Sequence, residues 1–359
     1  MRPLGGLVAL AWALLAVPLT ATPPMPPRPG PPESRPATLP ALKAALAEKW
    51  LACKAMWRAG EWAKLEAAES ELYNRSLADA GRWQIRSLAA EMARTYHADR
   101  RGDPDDYRSC RLAYLIFVTM ARSLPRRERL PPRRPTGAAM KAFLAEWRAD
   151  RADRAEAGLW AFRVVETACG NIADPERKAD AFRRAYAVMT PATFFCMPFV
   201  SDPRPLAARF EKIRPKLAEF ADGDPGASGR RRRQLKGMAD GLSLLVRRAA
   251  DKRAVLAALE GYRKAYNRKD DAAFARVCSA LDVADDPTRT RPAVRKPLES
   301  VIPAARWSIL LIEPYAAHVD GDDARIELFI RYADRSGKAG PIRQDTFHAD
   351  KAAGRWRLR

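Results

Sequence analysis

Between residues 41 and 250 apolar positions recur every third or fourth residue, and runs of β-branched residues are scarce. Ala, Leu, Glu, Arg and Lys dominate, and all five lose little freedom in a helix. Cys110, Ala113, Tyr114, Phe117 and Met120 mark one such face. Start signals repeat along the stretch: Asp103-Pro104-Asp105-Asp106, Asp174-Pro175-Glu176 and Thr190-Pro191 each set a capping oxygen ahead of a proline suited to a first helical position. The carboxylates in these motifs read as caps before they read as catalysts. Trp50, Trp57, Trp62 and Trp83 stand among Ala and Leu as packing residues. Gly60-Glu61-Trp62 and Gly81-Arg82-Trp83 look like tight turns between helices, although their spacing does not match a tetratricopeptide period of about 34 residues. The pattern predicts an antiparallel helical array.

Beyond residue 250 the period changes. Val255, Leu259, Tyr262 and Tyr266 mark one more helix face, and the polar run Asn267-Arg268-Lys269-Asp270-Asp271 ends that helix and caps a second one through Phe274 and Val277. A connection rich in Pro and Arg follows. Four strands are then expected, at 306–312, 324–332, 342–349 and 355–358, separated by the turn signals Asp320-Gly321-Asp322, Asp334 to Gly340, and Ala353-Gly354. The fold class is therefore α+β, an all-α array followed by a C-terminal α+β domain. The expected organisation is a signal peptide at 1–21, a Pro-rich linker at 22–40, a helical domain at 41–250 and the strand-bearing domain at 251–359.

The run Tyr262-Arg263-Lys264-Ala265-Tyr266-Asn267 with Asp270-Asp271 and Phe274, and the closing Gly354-Arg355-Trp356-Arg357-Leu358, resemble the nuclear transport factor 2-like superfamily, which includes SnoaL-like and ketosteroid-isomerase-like proteins. The resemblance covers the C-terminal third. It implies a cone in which a curved, mostly antiparallel sheet wraps helices around an apolar cavity. An enzyme of this family would use a cavity acid to abstract a proton and a phenol to steady an oxyanion, with burial raising the acid's pKa.

Alternation along the second strand sends Ala324, Ile326, Leu328, Ile330 and Tyr332 to one face and Arg325, Glu327 and Arg331 to the other. On the third strand Asp345 shares a face with Phe347, whereas His348 points away. Tyr262, Tyr266, Tyr332 and Asp345 are thus the expected ligand-pocket residues. If the protein is an enzyme, Asp345 and Tyr266 are the catalytic pair. The competing reading places the tyrosines in the core and leaves Asp345 as a surface or salt-bridged carboxylate near Arg343 or Arg357.

The N-terminus changes the setting. Arg2 precedes an apolar run from Leu4 to Leu19, interrupted by Gly5, Gly6 and Pro18 and followed by Thr20, Ala21 and Thr22. This reads as a secretory signal, too short and too broken for a spanning helix of about 20 residues, so no membrane span is expected after cleavage. Export to a periplasmic or extracellular setting makes disulfides available. Cys169 with Cys196 and Cys53 with Cys110 are the pairs considered, against the alternative that all the cysteines are small buried apolar residues.

Composition and charge narrow the function further. The 359 residues admit about two domains. With 47% apolar and 30% charged residues, a disordered chain or a coiled-coil rod is excluded. The 64 Lys and Arg against 43 Asp and Glu give a net charge of +21. A positive field of that size attracts acidic proteins, anionic envelope surfaces or nucleic acid. Two basic clusters, Arg126 to Arg134 and Arg230, Arg231, Arg232 and Arg233, read as solvated loops, the second being the anion-binding candidate. Neither is interleaved with stacking aromatics, so nucleic acid is not the expected partner. No nucleophile motif, metal-ligand spacing or Gly-rich phosphate loop occurs, and neither cofactor nor metal is expected. The first expectation is an exported, non-enzymatic binding or scaffold protein, in which the array meets a protein or envelope partner and the cone holds a small apolar ligand. The alternatives are a lyase or isomerase using the cavity and a polyanion-binding surface protein.

Overall fold

Helix α1 (Leu39–Ala59) turns Leu46, Trp50, Cys53 and Trp57 inward at steps of three and four, and the chain reverses at Gly60. Gly60 has φ +71°, a left-handed conformation that glycine adopts without a Cβ penalty. Helices α2 (Trp62–Glu71), α3 (Arg82–Asp99), α4 (Asp106–Ser123), α5 (Gly137–Ala168), α6 (Pro175–Phe195), α7 (Arg204–Asp222), α8 (Ser228–Arg268) and α9 (Asp271–Val277) follow. Strands β1 (Ser308–Asp320), β2 (Asp323–Ala333), β3 (Arg343–Ala352) and β4 (Arg355–Leu358) close the chain. This computed structural model describes residues 39–72, 81–100, 105–125, 130–132, 135–223, 226–278, 308–334 and 336–359. The expected signal and most of the linker, the Arg126 to Arg129 and Arg133-Arg134 runs, and the Pro and Arg-rich connection before β1 lie outside the described residues.

The described part of the chain forms two compact units. The helical unit comprises the residues up to Ser123 together with Arg163–Pro191. Helix α4 lies at its centre: Cys110, Leu112, Ala113, Ile116 and Phe117 are buried, and so are Arg111 and Ser109. The sheet unit comprises Leu124–Phe162 and Ala192–Arg359, and helix α8 runs unbroken through residue 250 within it.

The strands pair antiparallel in the order β1-β2-β3-β4 and form a curled sheet. The β1–β2 hairpin closes through Gly321-Asp322 with Asp320 opposite Asp323, and Gly321 takes φ +60°. β3 and β4 are joined by Ala353 and Gly354, both at positive φ, the geometry that matches a two-residue turn to the twist of its strands. β1 is much longer than expected, because it continues through Pro314 to Asp320. It is an edge strand, and a register shift between Pro314 and Ala316 lets the proline sit where no ladder donor is needed.

One face of the sheet receives α8 and α9. Val255, Leu259, Tyr262, Tyr266 and Phe274 pack with Ile326, Leu328, Ile330, Phe347, Ala349, Trp356 and Leu358 in one core. Lys269 ends α8 at φ 56°, and Asp270 caps α9 by accepting from the Ala273 amide at 2.8 Å. The opposite face is also covered: Met140, Phe143 and Leu144 of α5 pack on Tyr315, Ala316 and Phe329. The alternation had left only charged residues on that face of β2, whereas Phe329 stands among them fully buried.

Two expectations are corrected, and one open choice is decided. Arg230 to Arg233 are not a loop but lie in the first turns of α8, because Leu235, Met238, Ala239 and Leu242 make a buried stripe that carries the helix back across them. Thr190-Pro191 does not start a helix; Pro191 lies inside α6, which continues only to Phe195. Neither disulfide pair forms, since all five cysteines are free and buried, as small apolar fillers would be. By contrast, Asp174 caps α6 as expected, its Oδ1 accepting from the Arg177 amide at 2.8 Å.

Candidate functional site

The face of β2 that receives α8 is built by the expected alternation, with Ala324, Ile326, Leu328 and Ile330 buried and Tyr332 half-buried at its end. On β3, Phe347 pairs with Ile326 and Asp345 with Leu328, so Asp345 points to the same face. From α8, one turn apart, Tyr262 and Tyr266 descend onto this surface. Ring centroids are 5.8 Å apart between Tyr262 and Tyr266, 6.4 Å between Tyr266 and Tyr332, and 5.4 Å between Tyr262 and Phe347. The structure brings the three tyrosines together, and Asp345 lies near enough to act electrostatically on Tyr262 and Tyr332. Tyr262 and Tyr266 belong to the core as well, each being only a few per cent exposed.

Their shared surroundings disfavour charge. Burial pushes the Tyr262 phenol well above its usual range, and the neighbouring Tyr332, Tyr266, Cys278 and Asp345 add to the shift. Burial moves Tyr266 up to about 12 and also raises Tyr332, which feels Tyr266 and Asp345 besides. Asp345 is raised by desolvation against the apolar and phenolic wall, opposed by the Thr346 amide, which donates to Oδ1 at 2.7 Å, and by Arg343. The residue as a whole is exposed. His348 is exposed on the opposite side.

The ends of this surface are anchored by polar contacts. Asn267, one residue past Tyr266, donates from Nδ2 to the Ile309 carbonyl at 2.9 Å and accepts from the Ile309 amide at 2.8 Å, which ties the exit of α8 to the start of β1. Asp251 Oδ1 accepts from Lys351 Nζ at 2.8 Å and from Trp356 Nε1 at 3.1 Å, fixing the middle of the same helix to β3 and β4. Neither clamp is legible in the sequence. A lone Asn or Asp on a helix carries no periodic signal, and only the fold shows what it faces.

The Arg230 to Arg233 cluster is split by its helical geometry. Arg230, Arg232 and Arg233 are exposed and Arg231 is partly covered. Arg232 donates to Asp222 Oδ1 at 2.7 Å, and the Arg231 guanidinium lies 4.7 Å from the Phe220 ring centroid. Among the described residues no group of three His, Cys, Asp or Glu side chains is placed to hold a metal ion, and no helix is long and apolar enough to cross a membrane. No family model, curated protein or solved structure matches the chain.

Proposed function

We propose that the chain is an exported binding protein whose sheet unit is a nuclear transport factor 2-like cone holding a small, mostly apolar ligand. Asp345 and Tyr332 read the ligand's polar group. What supports the reading is that one carboxyl and three phenols lie on the otherwise apolar face of the sheet that receives α8, the composition of a small-molecule site. The helical unit serves a protein or envelope partner, and the exposed Arg230 and Arg233 contact an anionic surface. Export rests on the N-terminal apolar run.

The experiment is equilibrium binding of 2-naphthol, a fused aromatic with one hydroxyl, followed by its own fluorescence. Micromolar binding that falls at least tenfold in Asp345→Asn and in Tyr332→Phe, with the circular dichroism unchanged, supports the reading. Absence of saturable binding of naphthol and of its neutral ring analogues overturns it.

A second reading is favoured by one observation, the raised pKa of Asp345 beside two phenols. It makes the same surface an isomerase or lyase site, where Asp345 takes a proton and Tyr266 or Tyr332 donates to the developing oxyanion. Asp345→Asn then abolishes turnover while leaving ligand affinity within a few fold, the opposite of the binding reading.

A further inference from the structure

Within the sheet unit, helix α5 carries Trp147, Arg151 and Arg154 at steps of four and three, so all three leave one side of the helix. The Arg151 guanidinium lies on the Trp147 ring, 3.5 Å from its centroid, and 5.4 Å from the centroid of Phe199. Trp147 is itself held edge-on to Tyr315 at 6.1 Å. Arg154 also stands 5.4 Å from the Phe199 ring, and it donates to the Pro125 carbonyl at 2.7 Å and to the Phe195 carbonyl at 3.4 Å. Phe199 ends the short turn Met197–Phe199, which packs on α8. From α8, Lys252 brings a third cation beside Arg151, and burial together with the Arg151 charge holds its ammonium below the usual lysine range. Among the described residues Lys252 has no hydrogen-bond partner and no carboxylate in ion-pair reach, and Arg154 meets carbonyls rather than a carboxylate. All of these side chains are half-buried.

We infer that Lys252, Arg151 and Arg154 form a site for the phosphate group of a phosphomonoester. The aromatic rings hold the two guanidinium groups in place without neutralising them. An ammonium drawn partly out of water with its donors unused is costly, and a second cation beside it adds repulsion. An oxyanion that enters here accepts from Lys252 and reverses both effects. Phosphate suits the site better than carboxylate, because it brings about two negative charges at pH 7 and three acceptor oxygens to three cations drawn from two helices. A planar guanidinium also matches its edge. The site goes beyond the ligand surface at Asp345 and Tyr332 and shares no residue with it, so failure of naphthol binding leaves the inference standing.

The test is isothermal titration calorimetry of the full chain with phenyl phosphate, at low and at physiological salt. The expected result is saturable binding that weakens at least tenfold in Lys252→Met and stays within threefold in Lys252→Arg, which keeps the charge. Arg151→Lys, which keeps a charge but loses the planar fork, is expected to weaken binding threefold or more. Lys141→Gln removes one exposed charge from the first turns of α5 and should leave the affinity within twofold. Vesicles of phosphatidylcholine with phosphatidic acid present the same group on a lipid. Cosedimentation that is lost in Lys252→Met makes the source a lipid headgroup, and cosedimentation that is absent or indifferent to that variant makes it a soluble ester; both agree with the inference. No saturable binding of phenyl phosphate by the wild type, benzoate binding as tightly as phenyl phosphate, or equal weakening by Lys141→Gln and Lys252→Met overturns it. The last outcome marks general attraction of anions to a basic protein.

Discussion

The ring of Phe143 stands edge-on to that of Phe329, with 5.7 Å between centroids and 83° between planes. Through this contact helix α5 covers the face of the sheet that α8 does not, and β2 is buried on both sides along its middle. Phe329→Ala removes a fully buried ring and leaves Phe143 and Tyr315 facing a cavity. The expected loss is about 3–5 kcal/mol in urea unfolding, with Phe143→Ala falling at the lower end of that range.

Asp345 makes a prediction about stability whose sign is set by its raised pKa. A carboxyl that binds its proton more tightly in the folded state than in the unfolded one destabilises the fold once ionised. Stability from this group is greatest below the unfolded pKa, about 3.9, and is lost as pH rises through the folded value. Asp345→Asn keeps an acceptor for the Thr346 amide and removes the charge. A higher urea midpoint at pH 7 is expected, with the gain over the wild type vanishing near pH 3, and a lower midpoint at pH 7 contradicts this placement of the carboxyl.

The buried Glu69–Arg111 pair responds asymmetrically to substitution. Arg111→Leu leaves the Glu69 carboxyl buried without its cation, and the expected loss is about 3–5 kcal/mol. Burial already raises the pKa of Glu69 against the pull of Arg111, so the lone carboxyl takes up a proton on folding. Adding Glu69→Leu should restore much of the lost stability. A double-mutant cycle in guanidinium chloride measures the coupling, and additive single effects contradict it.

Asn267 satisfies both backbone groups of Ile309 at the free edge of β1. Asn267→Ala leaves a half-buried amide and carbonyl to water or to nothing, at a cost of about 1–3 kcal/mol. Hydrogen exchange at the Ile309 amide should accelerate far more than at Ile326 in the strand beside it. Uniform acceleration across the sheet would show that the clamp is global rather than local.

The thiols offer a chemical check. Burial raises Cys53 to about 11 and Cys110, Cys196 and Cys278 to about 12, and a thiol that stays protonated is a poor nucleophile. The native protein at pH 8 is expected not to react with Ellman's reagent over minutes, and all five thiols should react once it is unfolded. Fewer than five after unfolding reveals a disulfide.

The period of the apolar residues was enough to separate helices from strands, because a helix face and a strand face select different spacings from one chain. It placed Tyr262 and Tyr266 on one helical stripe and set Tyr332 and Asp345 on the inward side of their strands. Turn chemistry at Gly321 and at Ala353-Gly354 was equally legible, since a hairpin of two residues demands positive φ. The tertiary structure alone decided what each face meets. Phe329 lay on what looked like the solvent side until α5, nearly 200 residues earlier, arrived to cover it. Arg230 to Arg233 looked like a loop, yet the apolar stripe after them draws the helix across all four. Glu69 and Arg111 found each other across 42 positions of chain. Periodicity is a property of neighbours in sequence, whereas burial of a charge or a ring depends on a partner that the local pattern does not contain.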